Sequence, residues 1–344
     1  MIKKILIVIL ITLLVFVIVI NLPIVTVGHR ESGHSYSNWM SETLSVDKRI
    51  VDVAMPGAHD AFTSQMNLFS PADKYADGIM KGFTGTILKG FLLRQSVTQK
   101  ADAKSLLENG ARYLDIRLTY DEGEWLTKHN FVSGDFIPVA GEIVSFLQDN
   151  KGEFLILDFQ HINGIDYNSE EDYGIFIDML TDTGLLGFHY FTADGVGSIS
   201  YGDITDQGKS SRVVIIDKFS VPEKETYDYG ISIRSNWADD DSFVDVLQFL
   251  NNEAAFVNNS TDFNESFRVM QAVTTMQLSL PGIFDSLRTW SLMERASDFN
   301  NFLLESSEFN DLMEAMPIVM IDYCNSNEND FSDKLMTVIL KKNE

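Results

Sequence analysis

"GEIVSFLQDNKGEFLILDFQHI", residues 141–162, joins two periodicities in one short stretch. Its first half belongs to a run over 136–150 whose apolar positions return at amphipathic helical spacing. Its second half, 153–162, is a short apolar run of strand type. The pair repeats outward in both directions. Strand signals lie at 49–55, 112–120, 124–132, 153–162, 211–219, 267–276 and 316–324, and helix signals near 98–109, 136–150, 170–184, 241–257 and 286–314. Such alternation argues a mostly parallel sheet with crossover helices. Seven or eight strands in about 300 residues favour a TIM (β/α) barrel over an open doubly wound sheet, although periodicity alone does not separate the two.

The 344 residues are 45% hydrophobic and 22% charged, enough for a sizeable core in one large or two medium domains. Net charge is −24, with a pI near 4.5. That excess of carboxylates excludes sequence-independent nucleic-acid binding, which needs cations to displace counterions from phosphates. The surface is expected to be soluble and the domain monomeric. Cys324 is the single cysteine, so no intramolecular disulfide framework exists.

Residues 5–27 carry no charge and follow Lys3 and Lys4. At about 1.5 Å per residue the run is long enough for a hydrocarbon core of about 30 Å. The positive-inside rule then places the rest of the chain outside, an extracytoplasmic domain held by a membrane anchor. The alternative is a cleaved signal segment, for which Thr26-Val27-Gly28 is a poor site. Residues 28–48 are polar and turn-rich, expected as a tether, and 49–344 form the barrel.

In a barrel of this class, polar residues at the C-terminal ends of strands face the active site. Here they are His59 and Asp60, which follow a strand expected to end at Pro56-Gly57; Asp115 and Arg117; His129; Asp158 to His161; Asp217 and Lys218; and Asp322. Two histidines supply a proton acceptor and a proton donor near neutral pH. Arg117 offers a permanent cation suited to a phosphoryl group. Asp115 and Arg117, two apart on a strand, share a face, so a structural ion pair accounts for them equally well. No HExxH or close Asp/Glu/His cluster appears in the sequence, and Arg117 would place a positive charge where a metal would sit.

"MPGAHDAF" (55–62), "SVTQKADAKSLLENGARYLDIRLTY" (96–120), "LTKHNFV" (126–132), "GEIVSFLQDNKGEFLILDFQHING" (141–164) and "PIVMIDYCNS" (317–326) occur in this order. As a set they resemble the catalytic X-domain of phosphatidylinositol-specific phospholipases C, most of all the bacterial enzymes and the X-domain-containing proteins. The match is dense over 49–165, thin over 166–310, and returns at 317–325. The resemblance implies a distorted TIM barrel acting on a membrane phospholipid. It implies His59 as general base on the inositol 2-hydroxyl, His129 as general acid to the diacylglycerol oxygen, and Asp322 and Asp60 as their respective supports. Products would be diacylglycerol and inositol 1,2-cyclic phosphate. Calcium-dependent members carry an acidic ligand where this chain has Arg117 and asparagine where it has Asp60, so the resemblance implies no metal and no other cofactor. Basic head-group residues are expected after the fourth and fifth strands. Lys218 fits the fifth, but the fourth offers Gln160 and His161, which puts strict inositol specificity in question.

Residues 66–95 are rich in Phe, Leu, Ile and Gly, and from Lys74 to Lys104 six Lys or Arg stand against Asp77 and Asp102. This reads as an interfacial element, with Phe83, Ile87 and Phe91 contacting the membrane, or equally as a packed loop and helix. Two rivals remain open from the residues alone: a metal-dependent glycerophosphodiesterase, and a barrel that binds lipid or glycan without turnover.

Overall fold

The computed structural model describes residues 2–20, 31–76, 88–277 and 290–344. Ten strands join in one sheet: β1 (Met55–Ala58), β2 (Tyr113–Asp121), β3 (Glu124–His129), β4 (Phe131–Asp135), β5 (Phe154–Asn163), β6 (Arg212–Asp217), β7 (Tyr227–Asp228), β8 (Ile233–Asn236), β9 (Phe267–Gln271) and β10 (Ile318–Ile321). Eight run parallel in the order β7-β6-β5-β2-β1-β10-β9-β8. First and last strands are neighbours, as in a TIM barrel. The ladder missing from the cycle lies between β7 and β8, where a short helix, Tyr229–Ser232, carries the chain across. The barrel is therefore distorted and open on that side. Phe154 to Gln160 of β5 are all buried, the signature of a strand covered on both faces.

Three expectations need correction. The strand sought at 49–55 is a 3-10 turn, Ile50–Asp52, followed by β1, which contains the Pro56 and Gly57 expected to end it. Proline is tolerated because Met55 and His59, the alternate residues, donate to the β10 side and the pairing with β2 begins only at Gly57, so the N–H that Pro56 lacks is not needed, while its carbonyl still accepts from Arg112 N at 3.0 Å. At Gly57 a Cβ would lie 2.8 Å from Tyr113 Cδ1 and 3.3 Å from Met320 Cα, so only glycine lets β1 approach both neighbours. The strand sought at 124–132 is instead an antiparallel hairpin, β3 and β4, built on the outer end of β2. It is not a barrel stave, and β3 brings His129 back toward the barrel mouth.

The third correction concerns the tether. Of residues 28–48, those from 31 onward are described, and they belong to the domain. Trp39 and Met40 are buried in the main core, and Trp39 Nε1 donates to Gly110 O at 3.0 Å. Arg112, fully buried at the start of β2, donates to Glu153 Oε2 at 2.9 Å and to the carbonyls of Tyr36 and Ser37. Ser41 N donates to Glu153 Oε1. One buried ion pair thus fastens the segment across the closed end of the barrel. The helix Phe331–Asn343, absent from the sequence reading, closes the same end: Asn343 exchanges two hydrogen bonds with the backbone of Ala54 just before β1.

The expected helix over 286–314 is, in its described part, two helices, Leu292–Glu305 and Phe309–Ala315. At the N-terminus a helix spans Ile2–Ile20, with the apolar side chains from Ile5 to Val15 exposed. Among the described residues no helix is long and apolar enough to cross a membrane. Residues 21–27 of the expected span lie outside the described residues.

Candidate active site

The site is built at the C-terminal ends of β1, β2 and β10. His59 N donates to Ile321 O at 3.1 Å, extending the β1–β10 ladder by one residue before the chain turns. The turn is made at Asp60, whose φ of +41° is unusual for a residue with a side chain. Three hydrogen bonds hold that conformation: Asp60 N to Asp115 Oδ2, Thr98 Oγ1 to Asp60 O, and Ala61 N to Asp115 O. The strain is consistent with a functional position, since it brings Asp60 within reach of both histidines.

Six of the expected residues converge there. His59 Nδ1 lies 2.7 Å from Asp322 Oδ1, on the neighbouring strand. Asp60 Oδ2 lies 3.6 Å from His59 Nε2 and 3.4 Å from His129 Nε2, so one carboxylate oxygen serves both imidazoles. The rings stand 6.3 Å apart. His129 Nδ1 sits 2.9 Å from Ser96 O, a partner that assigns the proton to Nδ1 and leaves Nε2 toward Asp60. Arg117 pairs through Nε with Asp60 Oδ1 and donates from Nη2 to Asp115 Oδ2 at 3.3 Å. Its guanidinium is thus fixed beside both histidines, with 21% of the side chain still exposed toward the cavity.

The charges follow from this geometry. Burial opposes a charge on His59, but Asp60 and Asp322 outweigh it and raise the imidazole from 6.5 to about 9. For His129 burial prevails over Asp60, and its value is lowered. Asp60 is held far below the usual carboxylate range because Arg117 and the two histidines overcome its burial. At neutral pH the free site therefore carries its proton on His59. Asp158, the register partner of Asp115 on β5, is raised to about 7 by burial and by Asp115, and accepts from Tyr113 OH at 2.5 Å. It is a buried structural carboxyl, as is Asp217, which binds Lys224 Nζ at 2.6 Å.

His59, Arg117, His129 and Asp322 open onto a cavity of about 650 Å³. Its walls differ in chemistry. Leu92, Met276 and Leu292 form an apolar side near His129 and Ser96; Gln160, Ser235 and Gln271 form a polar side. Gln160 and His161, expected at the head group, do line it. Lys218 does not: its Nζ stands over the Tyr229 ring, 4.4 Å from the centroid. Phe91, expected at the membrane, is buried with Met66, Leu93, Val97 and Phe131 in a second apolar cluster. Covering an aromatic side chain this fully is worth about 2–3 kcal/mol, which favours packing over exposure. Phe83 and Ile87 lie outside the described residues.

Sequence reasoning missed two positioning groups. Ser96 fixes the His129 tautomer. Gln99, fully buried, donates to His59 O and Ile321 O and accepts from Cys324 N, tying the site's two central strands together. Both fall in the "SVTQKADAK" motif, but nothing in residue type alone marks them.

His59, Asp60 and Asp115 offer ligand atoms within 4.8 Å of one another, a spacing a metal ion could use. Arg117 already binds both carboxylates, so a divalent cation there would have to displace or face a guanidinium. The donor set does not fit a resident metal.

No family model matches the chain. Curated relatives do. A PI-PLC X-box domain-containing protein of Dictyostelium discoideum is 24% identical over 311 residues, 84% of this chain and 39% of that protein. The variant-surface-glycoprotein phospholipase C of Trypanosoma brucei brucei is 33% identical over 144 residues, covering 38% of this chain and 40% of that one. The matches thus span about two fifths of those relatives' lengths. Among solved structures, the phosphatidylinositol-specific phospholipase C of Listeria monocytogenes aligns with TM-score 0.59 at 16% identity over 90% of this chain and 99% of that one. A Staphylococcus aureus phosphatidylinositol-specific phospholipase C aligns with TM-score 0.64 at 12% identity over 90% and 98%. The chain is thus similar in sequence to phospholipase C X-domain proteins over part of their length, and it shares its barrel fold with bacterial phosphatidylinositol-specific phospholipases C.

Proposed function

We propose that this chain is a phosphodiesterase that cleaves phosphatidylinositol, or a related glycerophospholipid or glycolipid, to diacylglycerol and inositol 1,2-cyclic phosphate without a metal ion. The observation that carries this reading is the arrangement of His59 and His129 around one oxygen of Asp60, with Arg117 beside them at the cavity floor. His59, oriented by Asp322, takes the proton from the hydroxyl vicinal to the phosphodiester, and that oxygen attacks phosphorus. The bond to the diacylglycerol oxygen breaks, and His129 returns a proton to it. Arg117 stabilises the charge gathering on the phosphoryl oxygens. The apolar wall near His129 suits the diacylglycerol leaving group, and the polar wall suits the head group.

The resting proton on His59 and its absence from His129 match the state left after cleavage. The form ready for the next lipid is the minor tautomer of the same singly protonated pair. That state also suits slow hydrolysis of the cyclic phosphate, with His129 accepting a proton from water and His59 donating.

The exposed apolar helix Ile2–Ile20 supports a further part of the proposal, that the enzyme is held at a membrane with its barrel on the extracytoplasmic side. Protease treatment of intact cells should remove the barrel; its protection there would place it inside.

The test of activity is incubation of the purified chain with phosphatidylinositol or phosphatidylcholine vesicles in excess EDTA, followed by phosphorus NMR. A five-membered cyclic phosphate signal from phosphatidylinositol is expected. Turnover that stops in EDTA and returns with calcium would overturn the metal-free mechanism, and no product from either lipid would favour a binding protein.

A further inference from the structure

The polar wall of the cavity crosses the open seam of the barrel. Gln160 on β5 donates through Nε2 to Tyr229 OH at 3.3 Å, and Tyr229 sits on the short helix bridging β7 and β8. On the other side, Gln271 of β9 donates through Nε2 to Ser235 Oγ of β8 at 2.6 Å. Gln271, Gln160 and Ser235 all line the cavity. Each amide is oriented by one N–H, and a carboxamide retains a second N–H and a carbonyl for a ligand. A hydroxyl both donates and accepts, so adjacent hydroxyls match such an amide.

The same wall offers little to an anion. Lys218 is withdrawn over Tyr229 and does not line the cavity. Asp239 lines it and repels a second phosphate. The other guanidinium at the cavity, Arg295, donates to Thr274 Oγ1 at 3.2 Å and to the Asp241 carbonyl. Arg117 is taken up by the scissile phosphate.

Resting on the phosphodiesterase reading above, we propose that Gln160, Ser235 and Gln271 determine head-group specificity and select uncharged polyols, cyclic or acyclic, that carry a hydroxyl vicinal to the phosphodiester. The chemistry requires that hydroxyl and the wall requires neutrality. Neutral hydrogen bonds discriminate among hydroxyl patterns weakly compared with charged ones. A glycerol head group therefore meets the same requirements as inositol, and a phosphorylated inositol does not.

The test compares vesicles of phosphatidylinositol, phosphatidylglycerol and phosphatidylinositol 4,5-bisphosphate with the full chain. Phosphatidylglycerol is expected within about tenfold of phosphatidylinositol in kcat/KM, and the bisphosphate at least about 100-fold below. Gln271→Leu should raise KM for phosphatidylinositol about fivefold to tenfold with kcat largely kept. Gln160→Lys should raise the bisphosphate rate relative to phosphatidylinositol. Equal turnover of the bisphosphate, no turnover of phosphatidylglycerol beside brisk turnover of phosphatidylinositol, or an unchanged lipid preference in both variants would overturn the proposal. If no lipid is cleaved, the phosphodiesterase reading fails instead, and calorimetric titration decides this inference separately. Tighter binding of free myo-inositol than of inositol 1,4,5-trisphosphate supports it, and the reverse order refutes it.

Discussion

Replacing Asp322 with asparagine tests the electrostatics of the site most directly. His59 is raised from 6.5 to about 9, and its side chain is only 13% exposed, so solvent screens the pair little. At about 1.4 kcal/mol per pH unit, that interval corresponds to roughly 3 kcal/mol of stability shared between Asp60 and Asp322. Because the folded value is the higher one, the contribution is fully present below 6.5 and is lost as pH rises through about 9. Asp322→Asn should remove about 1–2 kcal/mol of it, lowering Tm by about 2–4 °C at pH 6 and by nothing measurable at pH 10. Proton NMR should show the His59 midpoint moving down toward 6.5. An orienting aspartate in a hydrolytic triad is worth up to about 10⁴ in kcat. With Asp60 still beside His59, a loss of about 10²–10³ is expected on phosphatidylinositol. An equal fall in Tm at both pH values, or a His59 midpoint unmoved from about 9, would refute the assignment of this pair.

Further outcomes follow from the same geometry. The pH profile of kcat/KM should be bell-shaped and flat between its limbs, because the singly protonated pair dominates there. The alkaline fall belongs near 9, where His59 loses its proton and leaves both imidazoles neutral, and Asp322→Asn should shift it to lower pH. Arg117→Gln should cost about 10²–10³ in kcat, a loss that added calcium does not restore if no metal serves the site. Arg112→Ala leaves Glu153 as an uncompensated buried charge, so chemical denaturation should show a loss of about 3–5 kcal/mol, with kcat of the remaining folded protein unchanged. Gly57→Ala places a methyl group 2.8 Å from the Tyr113 ring and 3.3 Å from the Met320 backbone, and should cost about 1–3 kcal/mol in the same measurement.

The helix-then-strand rhythm around residues 141–162 was enough to specify a mostly parallel sheet with crossover helices, because covered strands and amphipathic helices leave distinct periodicities in the chain; closure into a barrel leaves no such local mark. The sequence also nominated His59, Asp60, Asp115, Arg117, His129 and Asp322, since acid-base and phosphate chemistry require those residue types and strand ends are where barrels display them. What it did not contain was distance. That one oxygen of Asp60 stands between both imidazoles depends on a left-handed turn held by Thr98 and Asp115, and on a hairpin that brings His129 back to the mouth. That Lys218 is turned onto Tyr229 while Gln271 and Ser235 face the cavity depends on contacts among β5, β8 and β9, strands more than 70 residues apart at the extremes. The polar segment around Trp39 reads as a tether because its anchors, Arg112 and Glu153, are distant in the chain and polar in type. Local pattern records which face of an element meets the core; which polar groups meet each other is settled only when the barrel brings its strands together.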